Sequence, residues 1–88
     1  MNMTELTARY EQLARKAAQL SAEIATCETY LEAMLDFTYH HGAKYSMTTI
    51  EEIVQAVHAV ECERRQHLLN VRFEKSLLSA CIGTQREN

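Results

Sequence analysis

Four histidines, three cysteines and twelve carboxylates are the side chains of this 88-residue chain best suited to chemistry. Their densest grouping runs from His58 to His67. His58 and Cys62 are one helical turn apart, His67 follows further on, and Glu61 and Glu63 flank the cysteine. Imidazole and thiolate are zinc ligands, but a structural zinc takes four protein ligands and a catalytic zinc three plus water. On a helix only His58 and Cys62 share a face, and the chain has neither Cys-x-x-Cys nor His-Glu-x-x-His. The pair is expected to be a surface imidazole beside an interface cysteine. No metal or other cofactor is assigned, and a metal-dependent enzyme is expected only if its site is completed across a dimer interface.

Covalent catalysis needs a nucleophile held against a base and oxyanion donors, usually on a turn. Cys27, Cys62 and Cys81 all fall inside apparent helices, and Gly-x-Ser-x-Gly is absent. The many carboxylates need a cleft to pair for acid–base work, and two helical rods offer none. The chain is therefore expected not to be an enzyme. An odd number of cysteines without paired spacing speaks against a disulfide framework and for a reducing, cytoplasmic setting. No apolar run approaches the roughly 20 residues of a membrane span, and the start Met1-Asn2-Met3-Thr4-Glu5 lacks the basic-then-apolar layout of a signal peptide. Neither a membrane nor a small-molecule substrate is expected as a partner.

The elements that carry these residues follow from periodicity. Met3, Leu6, Tyr10, Leu13, Ala17, Leu20, Ile24, Cys27, Leu31 and Met34 recur at alternating spacings of three and four, a heptad seam that predicts a helix from about Thr4 to Tyr39. The segment 40–48 breaks the period. Gly42, in a left-handed conformation, is expected to end the first helix, with His40 and His41 among its last carbonyls. Thr48 with Glu51, or Thr49 with Glu52, reads as a capping box for a second helix over about residues 49–82. Gly83 is its expected stop, and residues 83–88 a frayed tail. Ile50, Ile53, Val57, Val60, Leu68, Val71, Leu78 and Ile82 are assigned to the face that packs on the first helix.

The fold class is accordingly all-α: one domain, residues 1–88, forming a hairpin of two long antiparallel helices. Two rods touch along one line and leave apolar surface wet. A second apolar stripe, Cys62, Leu69, Phe73, Leu77 and Ala80, lies nearly opposite the first on helix two. A four-helix bundle, from a homodimer or with a helical protein partner, is the expected completion. Cys62, Leu69, Phe73 and Leu77 are its candidate interface residues.

The turn region adds aromatic candidates for the same interface, Tyr30, Phe37, Tyr39 and Tyr45. Exposed at a tip, such side chains can anchor a partner; the simpler expectation is that Phe37, Tyr39 and Met47 cap the end of the bundle core. Arg64 interrupts the core face, with Glu61 and Lys75 near it, and is a candidate for a polar contact that fixes register.

Charge is sorted along the rods. In residues 23–52 six carboxylates (Glu23, Glu28, Glu32, Asp36, Glu51, Glu52) meet one cation, Lys44, for a net −5, and the remaining residues carry +2, in keeping with the total of −3. This asymmetry favours two hairpins overlapped antiparallel, acidic turn beside basic open end. A net negative chain is poorly suited to gripping phosphates. Arg64, Arg65, Arg72 and Lys75 nevertheless keep an RNA-binding bundle as an alternative, weakened by the interleaved Glu61, Glu63 and Glu74. The leading expectation is a non-enzymatic protein-interaction module: an adaptor, chaperone or inhibitor of a larger protein machine, of the kind phages and plasmids also carry. Heptads and capping boxes occur across unrelated hairpins, so no family resemblance is drawn.

Overall fold

A computed structural model describes the backbone of residues 2–87 and the side chains of residues 2–85. Helix α1 spans Met3–His41, a short 3-10 turn spans Gly42–Lys44, and helix α2 spans Met47–Glu87. The two helices pack as an antiparallel hairpin with extents of 67 × 16 × 15 Å.

α1 begins one residue earlier than the heptad pattern alone indicates because Asn2 caps it. Asn2 Oδ1 accepts from the Glu5 N–H at 2.8 Å, and the Glu5 carboxylate accepts from the Asn2 N–H at 3.4 Å, a reciprocal capping box. The seam of α1 is the predicted one. Each of its ten members is buried or half-buried, and Leu20, at 1% exposure, is the most enclosed.

At the turn Gly42 is right-handed, with φ −57° and ψ −30°, and no described residue has a positive φ. Its role is space. A Cβ there would stand 3.0 Å from Thr38 Cγ2 and 3.5 Å from Met47 Sδ. The Gly42 N–H still donates to the Thr38 carbonyl, and the Tyr45 N–H closes the turn on the Gly42 carbonyl at 3.1 Å. The cap of α2 is Ser46, not Thr48 or Thr49: its Oγ accepts from the Thr49 N–H at 3.2 Å and from the Thr49 hydroxyl at 3.0 Å.

Gly83 does not stop α2, which continues to Glu87. A glycine inside a helix costs about 1 kcal/mol relative to alanine, too little to end a helix whose hydrogen bonds continue beyond it. The Thr84 hydroxyl bonds back to the Ala80 carbonyl at 3.0 Å, and nothing crowds Gly83 within 4 Å. Of the expected frayed tail, residues 83–87 are helical and residue 88 lies outside the described residues.

The seam of α2 also departs from expectation. Its seam positions, all buried or half-buried, are Ile50, Val54, Val57, Glu61, Arg64, Leu68, Val71, Lys75, Leu78 and Ile82, again stepping by three and four, with Glu74 and Gly83 half-buried beside them. Ile53 and Val60, assigned to this face from their apolar character, are 50% and 42% exposed. Heptad spacing, once fixed by Leu68 and Val71, runs back through the charged pair Arg64 and Glu61, so hydrophobicity misplaced the stripe where geometry did not.

Packing is uneven along the hairpin. Leu13, Leu20, Ile24, Leu68 and Val71 form one buried cluster, with Ala17 and Leu78 against it, all in the half away from the turn. Between Glu28 and His67 the only buried residue is Gly42.

Candidate functional site

A layer of charge separates the two halves. Glu61, whose side chain is 13% exposed, accepts from Arg65 Nε at 2.7 Å, and Arg65 also pairs with Glu28 of α1. Arg64 reaches Glu23 of α1 at 3.6 Å and Glu63 at 2.9 Å. Arg64 therefore makes its polar contact within the hairpin, to the opposite helix. The hydrogen bond to Glu61, opposed by desolvation and reinforced by the charges of Glu61 and Glu28, raises the Arg65 guanidinium pKa above its ordinary value. Arg64 and Arg65, two of the cations considered for phosphate contact, are thus engaged by carboxylates.

Below this layer, towards the turn, both helices carry apolar residues one position before a seam residue. On α1 these are Tyr30, before Leu31, and Phe37, before Thr38; on α2 they are Ile53, before Val54, and Val60, before Glu61. In an antiparallel pair these positions of the two helices border the seam on the same flank. Tyr30, Phe37, Tyr45 and Ile53, all exposed, line with Met34 and Ile50 a groove of about 590 Å³ whose walls are almost wholly apolar. The Phe37 ring neighbours two others, His41 at 5.1 Å and Tyr45 at 5.8 Å.

The flank changes character past the charged layer. The equivalent positions become Arg9, Lys16 and Glu23 on α1 and His67 and Glu74 on α2. Arg9 Nη2 contacts both Glu74 carboxylate oxygens, at 2.8 and 3.0 Å. In the turn half, by contrast, heptad spacing places Glu28, Glu32, Asp36, Glu51 and Glu52 on the other faces, leaving the groove side free of carboxylates.

Tyr30, Phe37 and Tyr45 are thus brought together. Tyr39 is not: it is 86% exposed on another face, edge-on to His40 at 5.1 Å, while His40 Nδ1 lies 2.9 Å from the Asp36 carbonyl. Phe37, Tyr39 and Met47 are all exposed and do not cap a core, because the buried cluster ends well short of the turn. Leu69, Phe73 and Leu77 are exposed on α2, Phe73 and Leu77 bordering a shallow groove whose α1 side is Arg9, Gln12 and Lys16, and the exposed Cys62 stands two turns before Leu69. Sequence reasoning missed Ile53 and Val60 as surface residues; extending the three-four spacing of α1 to α2 was the signal that could have found them.

The His58–Cys62 pair is real but open. Cys62 Sγ lies 3.6 Å from His58 Nε2, both groups are exposed, and among the described residues no three His, Cys, Asp or Glu side chains are grouped to hold a metal ion. No helix of the described residues is long and apolar enough to cross a membrane. No family model matches the chain, and no curated protein or solved structure is significantly similar to it.

Proposed function

We propose that this chain is a non-enzymatic helical interaction module that docks another protein surface on the flank bordered by Tyr30, Phe37, Ile53 and Val60. The observation that carries this reading is the carboxylate-free apolar groove in the segment between Glu28 and His67, where no side chain is buried. A helix in a globular bundle presents three to four apolar positions per two turns, whereas a two-stranded seam needs only two. In the turn half Ile50, Ile53, Val54, Val57 and Val60 have the wider pattern, although the hairpin itself covers only the narrower seam. The unused width has the character of a protein-binding surface: aromatic side chains at its centre and charges outside it. An adaptor, a chaperone or an inhibitor acting by steric occupation would use such a face.

A photo-crosslinking phenylalanine analogue placed at Tyr30 tests the reading in cells of the native host. Covalent protein adducts are expected from position 30 and not from Glu11, which lies in the open half. Absence of adducts from position 30 would overturn it.

A further inference from the structure

We infer that the occupant of the flank is a second copy of this chain, so that two turn halves face each other as a local four-helix bundle. The inference rests on the docking reading above and names its partner. Of three observations, area allows a second copy, and self-complementarity and the placement of charge favour it over an unrelated helix.

The first is area. The chain exposes 6552 Å², whereas a compact monomer of its 10.1 kDa mass exposes about 5,300 Å². The excess, about 1,250 Å², exceeds the roughly 800 Å² that each partner buries in a standard interface. The radius of gyration, 19.5 Å, compares with about 12 Å for a compact chain of this length. An excess of that size is enough to supply one standard interface.

The second is self-complementarity. A twofold interface must match its own patch, residue against residue. The groove is compatible with this condition because both rims are apolar, aromatic on α1 and aliphatic on α2, with no carboxylate to face its own image. The apolar surface of Phe73 and Leu77 borders instead on Arg9, Lys16 and Glu74, so a twofold seam there would bury charge.

The third is where charge lies. Full antiparallel overlap, favoured by net charge alone, would set Tyr30 and Phe37 over Arg9, Lys16 and Glu74. Flank against flank in the turn half avoids that desolvation. It leaves Glu28, Glu32, Asp36, Glu51 and Glu52 pointing away from the contact, in water where salt screens them beyond about 8 Å. The charged layer at Glu61 and Arg64 then marks the limit of the apolar contact.

Because the groove lies within twelve residues of Gly42, from Tyr30 to Val54, either twofold arrangement of the two grooves, parallel or staggered antiparallel, keeps the two turns within about 25 Å. Full antiparallel overlap separates them by about 50 Å or more.

Sedimentation of the full chain together with spin-label distances decides the matter. The wild-type chain is expected at twice its 10.1 kDa mass at micromolar concentration. Ile53→Asp is expected to weaken association by about 100-fold or more, with helicity retained because residue 53 is outside the seam; Val60→Glu is the second variant should the first lose helicity. Leu69→Asp is expected to leave the mass unchanged. A label at Ala43, with Cys27, Cys62 and Cys81 replaced by alanine or serine, is expected to give a turn-to-turn distance of about 25 Å or less plus the label arms. A distance near 50 Å, dimers unaffected by both flank variants, or dissociation by Leu69→Asp alone would each overturn the arrangement. A monomeric wild-type chain that still yields adducts of other proteins from position 30 would refute the second copy and leave the docking reading standing; a monomer without adducts would refute both.

Discussion

Glu61, at a seam position of α2, is held by Arg65 one turn further along the same helix, at 2.7 Å. That contact, extended by Arg65 to Glu28 of α1, places a charge between the helices where the heptad spacing calls for an apolar residue. Above it the hairpin has a packed core; below it, towards the turn, it has an open apolar flank. A carboxylate in such a place is tolerated when paired and costly when its partner is removed. Arg65→Ala is therefore expected to lower the urea midpoint, and Glu61→Leu to leave it unchanged or raise it. Chemical unfolding followed by circular dichroism checks both, and a lower midpoint for Glu61→Leu would show that the layer stabilises the hairpin in its own right.

Truncation of side chains should report the unevenness of the core. Leu20→Ala, in the buried cluster, is expected to cost about 2–5 kcal/mol. Ile53→Ala is expected to cost under about 1 kcal/mol of hairpin stability measured at concentrations too low for association. Equal costs at the two sites would mean that the turn half is as well packed as the open half.

The glycines separate two accounts of the helix ends. Gly83 is helical and uncrowded, so Gly83→Ala is expected to stabilise the chain by about 0.4–1 kcal/mol. Gly42 has the same backbone compatibility, but its Cβ would press on Thr38 Cγ2 at 3.0 Å, so Gly42→Ala is expected to gain less than Gly83→Ala. Marked loss at Gly83 would indicate a left-handed stop there after all. Thermal melts of the two variants provide the comparison.

Thiol accessibility follows burial. Cys62 and Cys81 are exposed and Cys27 is buried in the α1 seam. Two thiols per chain are expected to react promptly with a disulfide reagent and the third only as the chain unfolds. Three prompt thiols would place Cys27 outside the core.

The sequence carried the architecture further than it carried the surface. α1 was legible residue by residue because its seam is apolar from Met3 to Met34, and a heptad of that length has one geometric solution. α2 was not, because Glu61 and Arg64 occupy seam positions. Following hydrophobicity across them moved Ile53 and Val60 onto the core side and hid the groove. The turn misled for a different reason: glycine after a helical run suggests a left-handed cap, whereas Gly42 serves the close approach of Thr38 and Met47. Tyr30, Phe37 and Tyr45 were legible as candidates from composition, but their meeting at one groove depends on the side of the seam they border.

The claim that the turn half is completed by association is tested most directly by amide hydrogen exchange of the unmodified chain across a concentration series. Amides in residues 26–60 are expected to exchange faster as the chain is diluted from high to low micromolar concentration, while those around Leu13, Leu20 and Leu68 keep their protection. Exchange that is independent of concentration throughout, or a loss of protection on dilution confined to the open half, would contradict it.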